Sequence, residues 1–187
     1  MKIFGLGLTR TGTTSLAVAL EKIGYYVVHY PSENYLFDGH YDAAFDLSVA
    51  IHYKKLDQLF VGSRFIYTIR EKNAWLDSME RYLQDKRVNA QQYQTNRQLV
   101  YGQFEFDRKM YSAAYDRHHN DVLEYFKTRP QDLLTLNICN GDGWRPLLSF
   151  LGEERPTNIG YPPPLKYRID VNVDAFPHKH QQVYIDA

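Results

Sequence analysis

The chain has 187 residues, of which 44% are apolar and 24% charged, with 22 basic side chains balancing 22 acidic ones. That length supports one domain with a substantial core, and the apolar fraction excludes a disordered chain. Zero net charge gives no global basic field for nucleic acid, so any anion site must be local.

Cys139 is the sole cysteine, which leaves no disulfide framework and fits a reducing compartment. It reads as a small buried residue beside a strand. Met1-Lys2 lead directly into the first apolar segment, and no apolar run approaches the roughly 18 residues of a membrane span. The expectation is a cytoplasmic protein with neither a membrane nor nucleic acid among its partners. The 16 tyrosines divide between core packing and an aromatic-lined pocket.

Ile3 to Leu8 is a short apolar run entering a glycine-containing loop, and it reads as a buried strand. From Thr13 the pattern turns helical, with Leu16, Ala19, Leu20 and Ile23 on one face and Gly24 placed to stop it. Tyr25 to Tyr30 is β-branched and aromatic, closed by Pro31, and predicts a second strand. This is a β-α-β unit of a parallel sheet. Residues 31–42 read as a loop, and Ala43-Ala44-Phe45 as a short third strand ending at Asp46.

Val49, Tyr53, Leu56 and Phe60 form the next helical stripe, stopped by Gly62. Arg64 to Ile69 is another buried strand, followed by the polar turn Arg70 to Asn73 and a helix carrying Trp75, Met79, Tyr82 and Leu83. Residues 91–127 are polar, Tyr-rich and helix-compatible; Leu133 to Ile138 is the last strand, and Trp144 to Leu151 a short helix before Gly152. The expected fold is a single three-layer α/β domain over residues 1–152, a mostly parallel sheet flanked by helices. A Pro-rich segment, 153–187, packs on it or extends from it.

Gly7-Leu8-Thr9-Arg10-Thr11-Gly12-Thr13-Thr14 has the length and placement of a phosphate-binding loop between strand and helix. Glycines let the backbone curl around an anion, and the first N–H groups of the helix point at it. A nucleoside-triphosphate loop, however, needs a lysine where Thr13 stands. The basic residue is instead Arg10, and Thr11, Thr13, Thr14 and Ser15 crowd four hydroxyls into one turn. That set suits a single phosphate held without a metal, although Thr13 or Thr14 could also simply cap the helix. A P-loop kinase or NTPase and a non-catalytic nucleotide-binding protein are the alternative classes.

Leu8 to Ser15 resembles the 5′-phosphosulfate loop of sulfotransferases that use 3′-phosphoadenosine 5′-phosphosulfate (PAPS), in wording close to a compact branch of that family. The resemblance implies a P-loop NTPase-like fold, with Thr11, Gly12, Thr13, Thr14 and Ser15 cradling the 5′-phosphate and Arg10 on the bridging oxygen of the leaving group. It implies PAPS as donor, 3′-phosphoadenosine 5′-phosphate (PAP) as product, and no metal. Ser15 departs from the Trp that hormone and phenol sulfotransferases carry there to stack on adenine.

The family holds the 3′-phosphate with an Arg directly after a strand and a Ser eight residues on; Arg70 and Ser78 match that spacing. A guanidinium can grip phosphate bidentately, and strand ends are where ligands sit in open α/β sheets. Asp142-Gly143-Trp144-Arg145 with Phe150-Leu151-Gly152, and Ala175-Phe176-Pro177-His178, resemble C-terminal pieces of the same branch.

The family pattern places the base at Asp46, which is equally well suited to cap the following helix. His52 and His29 are alternatives. His118-His119 read as a solvated face, and His178 and His180 lack metal-ligand spacing. The implied acceptor is a small molecule or carbohydrate bearing a hydroxyl or amine, in a pocket placed among the helices after residue 80.

Overall fold

The computed structural model describes residues 1–84 and 91–153. Five strands, β1 (Ile3–Gly5), β2 (Val27–His29), β3 (Ala43–Phe45), β4 (Arg64–Thr68) and β5 (Leu133–Leu136), form one sheet in the order β2-β3-β1-β4-β5. Every pairing is parallel. The connection from β1 runs outward to β2, and the one from β4 runs the other way to β5. The order therefore reverses between β1 and β4, and the crevice at their carboxyl ends is where such sheets bind ligands.

Alternation along the strands builds two cores, as the pleat requires. Ile3, Ala43, Phe45 and Ile66 face α1 (Thr13–Lys22) and α7 (Trp144–Leu151), through Leu16, Leu20, Leu147 and Leu148. Phe4, Ala44, Phe65 and Tyr67 face α3 (Leu47–Leu59) and α6 (Arg108–Phe126), through Val49, Tyr53, Val122 and Phe126. Gly5 is fixed by this packing, because a Cβ there would lie 2.0 Å from the Phe45 ring.

A third cluster stands beyond the strand ends. Leu8 and Leu47 pack with Trp75, Leu76 and Met79 of α4 (Lys72–Leu83), Tyr101 of α5 (Gln91–Tyr101), and Tyr111 and Tyr115 of α6. Much of the tyrosine content is thus core rather than pocket lining.

The expected order of elements holds, with four differences. The segment read as a loop over 31–42 contains α2 (Glu33–Asp38), capped by Ser32 accepting from the Tyr35 N–H and ended by left-handed Gly39. Six residues are too few to show a helical period in sequence. The polar stretch 91–127 is two helices, separated where Gly102 turns left-handed and Asp107 caps α6 by accepting from the Met110 N–H. Cys139 is exposed rather than buried, because it lies in a single 3-10 turn (Ile138–Asn140) after β5. His118 and His119 are half-buried, because α6 lays that face over the end of β1. The Pro-rich segment, with Phe176, His178 and His180, lies outside the described residues.

Candidate active site

Gly7 sets the shape of the β1–α1 loop. A Cβ at this position would fall 1.7 Å from Thr68 Oγ1 and 2.6 Å from Thr11 Oγ1. Glycine leaves room for these two hydroxyls to meet at 2.7 Å. Thr11 donates its own proton to the Leu8 carbonyl at 2.7 Å, so Thr68 donates to Thr11. Both threonines are buried, and the bond ties the loop to the end of β4, two residues before Arg70. Thr11 therefore shapes the loop from within.

Arg10 and Gly12 have positive φ angles of 73° and 104°, which curl the loop tightly. The N-cap of α1 is Gly12, and no side chain makes a capping bond. Capping by Thr13 or Thr14 is thereby removed as the reason for those hydroxyls. The first N–H groups of α1, which a helix cannot satisfy internally, open at the same place with the positive end of the helix dipole behind them.

The loop and the Arg70–Ser78 pair, read separately in the sequence, meet in space. Arg10 Nε donates to Ser78 Oγ at 3.2 Å, and Arg70 Nη1 donates to the Arg10 carbonyl at 3.4 Å. Ser78 is buried, while Arg10 is exposed and Arg70 half-buried. Two guanidiniums, one hydroxyl and a helix N-terminus thus converge on one crevice.

Asp46 follows β3 at the neighbouring strand end. It occupies the N-cap position of α3, and its carbonyl accepts from the Val49 and Ala50 N–H groups at 3.0 and 3.1 Å. Its carboxylate makes no capping bond, so the capping role falls to the main chain alone. Its backbone stands at φ 111° and ψ −177°, a region that glycine alone adopts readily, at a strain of about 1–3 kcal/mol. The side chain is only 5% exposed.

Tyr82 of α4 connects Asp46 with Arg10. The Arg10 guanidinium lies 5.4 Å from the Tyr82 ring centre, and that of Arg97 lies 5.8 Å away. Burial raises the Tyr82 phenol pKa; the Arg97 charge opposes this and the Asp46 carboxylate adds to it. Arg10, Ser78, Tyr82, Arg97 and Asp46 therefore form one neighbourhood.

Three side chains pin the main chain around it. Trp75 donates its indole N–H to the Thr9 carbonyl at 2.8 Å, and Tyr115 its hydroxyl to the Arg70 carbonyl at 2.6 Å. His118 Nε2 lies 2.7 Å from the Leu6 carbonyl. A carbonyl only accepts, so Nε2 carries the proton. Burial holds the His118 pKa below its usual 6.5, against the pull of the carbonyl. His119 Nδ1 lies 3.3 Å from the Tyr67 hydroxyl.

The two histidines considered as alternative bases, His29 and His52, are engaged elsewhere. His29 packs against Tyr30 with ring centres 4.0 Å apart, on the edge strand β2. His52 meets α2 through Phe37 and stands 3.7 Å from Glu33. Among the described residues, no cluster of three or more His, Cys, Asp or Glu could hold a metal ion, and no helix is long and apolar enough to cross a membrane. Cavities of about 490 and 470 Å³ lie beside Ser32 and Tyr35 and between Leu83, Gln94 and Phe106; neither is lined by Arg10, Asp46 or Arg70.

A family model described as "Sulfotransferase domain" matches residues 2–37 and 33–166. The chain belongs to the sulfotransferase domain family. The match takes in the loop, Asp46, Arg70 and Ser78, and it runs past the expected domain boundary at residue 152. No curated protein matches. Among solved structures, the chain is similar to mouse sulfotransferase SULT7A1 complexed with PAP, with 14% identity and a TM-score of 0.45. The alignment covers 82% of this chain and 59% of that one, so the chain spans little more than half the length of that relative.

Proposed function

We propose that this protein transfers the sulfonyl group of PAPS to a hydroxyl or amine of a small-molecule or carbohydrate acceptor. One observation carries the reading: the Gly7–Ser15 loop and the Arg70–Ser78 pair converge, with Arg10 within 3.2 Å of Ser78. A ligand with phosphates at both ends of one nucleoside matches that arrangement. The donor set fits it chemically, being N–H groups, hydroxyls and guanidiniums suited to anionic oxygens. No lysine stands at the loop position that a γ-phosphate requires.

In this reading the α1 N-terminus, Thr13, Thr14 and Ser15 hold the 5′-phosphate, and Thr11 and Gly12 keep the loop in shape. Arg70 and Ser78 hold the 3′-phosphate. Arg10 donates to the bridging oxygen as charge develops on it, a contribution of roughly 3 kcal/mol to the transition state. Asp46 accepts the acceptor's proton while the new bond to sulfur forms and the bond to the bridging oxygen breaks, leaving PAP. Its strained backbone and its freedom from capping support that role.

The test is calorimetric titration with PAP in EDTA, together with PAPS-to-PAP conversion over a panel of alcohol, phenol and amine acceptors. PAP should bind without metal, and Asp46→Asn should lose turnover while keeping PAP affinity. Absence of PAP binding by the folded protein, or stronger Mg²⁺-dependent ATP binding, contradicts the proposal. PAP binding without turnover on any acceptor leaves a nucleotide-binding protein only.

A further inference from the structure

Among the described residues, Arg97 is the only buried Lys or Arg and Asp46 the only buried Asp or Glu, at 3% and 5% exposure. A buried charge is tolerated when an opposite charge and hydrogen bonds accompany it. These two bear on the same phenol: the Arg97 guanidinium lies 5.8 Å from the Tyr82 ring centre, and the Asp46 carboxylate acts on that phenol through its charge. Asp46 acts likewise on Tyr101. Tyr101 follows Arg97 by four residues on α5, and residues so spaced share a helix face. Tyr101 belongs to one buried cluster with Leu47, the residue after Asp46, and α5 packs on α3.

We propose that Arg97 is the positioning residue for Asp46, holding its carboxylate ionised and turned toward the space beside Arg10. The proposal rests on the reading of Asp46 as the base. Arg97 is too deeply buried to meet an acceptor, and a guanidinium does not deprotonate, so its charge persists at every working pH. Tyr82 stands between the two arginines, its ring centre 5.8 Å from the Arg97 guanidinium and 5.4 Å from that of Arg10. Arg10 is thus left to the leaving group while Arg97 serves the carboxylate.

The Asp46 carboxylate acts through its charge on Tyr82 of α4 and Tyr101 of α5, and Arg10 and Arg97 act on the same Tyr82. On α3 itself the nearest such group, His52, is directed to Glu33. Burial keeps both phenols protonated, since it raises the pKa of each above the ordinary 10.0.

The experiment is a ¹³C NMR titration of the Asp46 carboxyl, assigned by its loss in Asp46→Asn, in the wild-type chain and in Arg97→Gln and Arg97→Lys. Removing the guanidinium should raise the Asp46 midpoint by about one pH unit or more. Lysine should keep it within roughly half a unit of wild type, because the charge remains. PAP affinity should change less than about threefold in both, and the acid limb of PAPS turnover should move with the midpoint.

A midpoint unmoved in Arg97→Gln overturns the proposal. Should Arg97→Gln fail to fold, the double variant Asp46→Asn/Arg97→Gln should recover the wild-type unfolding midpoint, because no charge is then left buried alone. A double variant no more stable than the single one contradicts the pairing. Full turnover in Asp46→Asn removes the base and with it the catalytic meaning of Arg97. An inactive Asp46→Asn with an unmoved titration removes Arg97 alone.

Discussion

On the side of the crevice proposed to hold the nucleotide, nine consecutive residues from Gly7 to Ser15 supply the loop, and Arg70 after β4 and Ser78 within α4 complete it. Short polar contacts hold this side: Thr11 with Thr68, Trp75 with Thr9, and Tyr115 with Arg70. On the carboxylate side, Asp46, Tyr82 and Arg97 come from three separate elements; Asp46 and Arg97 are buried, and Tyr82 is half-buried against the aromatic cluster of α4 to α6. The first side is preorganised by backbone geometry; the second is proposed to be held by charge balance between Asp46 and Arg97. Phosphate binding and proton transfer should therefore be separable by mutation.

The largest effect should come from Arg10→Ala. Turnover should fall by roughly 10²–10³-fold, or about 3 kcal/mol, because a transition-state donor is lost. PAP affinity, measured by calorimetry, should fall much less, since loop and helix N–H groups remain. An equal loss in both would show that Arg10 serves binding alone.

Gly7→Ala should come next. Its Cβ cannot coexist with the Thr11–Thr68 contact, so the variant should unfold more easily by about 1–3 kcal/mol in urea. It should also lose PAP binding. Should PAP affinity survive, the loop is not the phosphate cradle.

Trp75→Phe deletes the indole N–H, which leaves the Thr9 carbonyl without that donor, and removes one ring from a fully buried site. A loss of about 1–3 kcal/mol in stability is expected, with weaker PAP binding and an unchanged acid limb of turnover. A shift of that limb would mean the two sides are coupled through α4.

The smallest effect is a pH slope. Burial holds the folded-state pKa of His118 below the 6.5 it has when exposed, so the unfolded chain binds the extra proton first. Its contribution is fully present above about pH 6.5 and fades as pH falls toward the folded-state value. The Tm should drop on acidification from pH 7 to 5, and His118→Gln should flatten that drop. An identical slope in the variant would place the acid sensitivity on the carboxylates instead.

The nucleotide side could be read in the sequence because it is contiguous. Glycine, arginine and hydroxyl residues at fixed offsets after an apolar run report a local geometry that long-range packing does not alter. The strands were legible for the same reason, since Ile3, Phe4, Phe65 and Ile66 alternate across the sheet. The carboxylate side was legible only at Asp46. Arg97 sits in a helix whose polar composition looks solvent-exposed, and its burial depends on α5 packing over α3. Thr68, which steadies the loop, is a single hydroxyl at the end of an apolar strand and carries no signal without Gly7 beside it. His118 and His119 read as surface residues because α6 hides one face only after it docks on β1.

The account stands most directly on metal-free PAP binding at the junction of loop and strand end. Calorimetric titration of the wild-type chain, Arg70→Ala and Ser78→Ala with PAP in EDTA measures it. Wild type should bind. Arg70→Ala should lose roughly 1.5–3 kcal/mol, as expected for a charged hydrogen bond, and Ser78→Ala should lose less. Equal affinity in all three, or no binding by the folded wild type, would contradict the account.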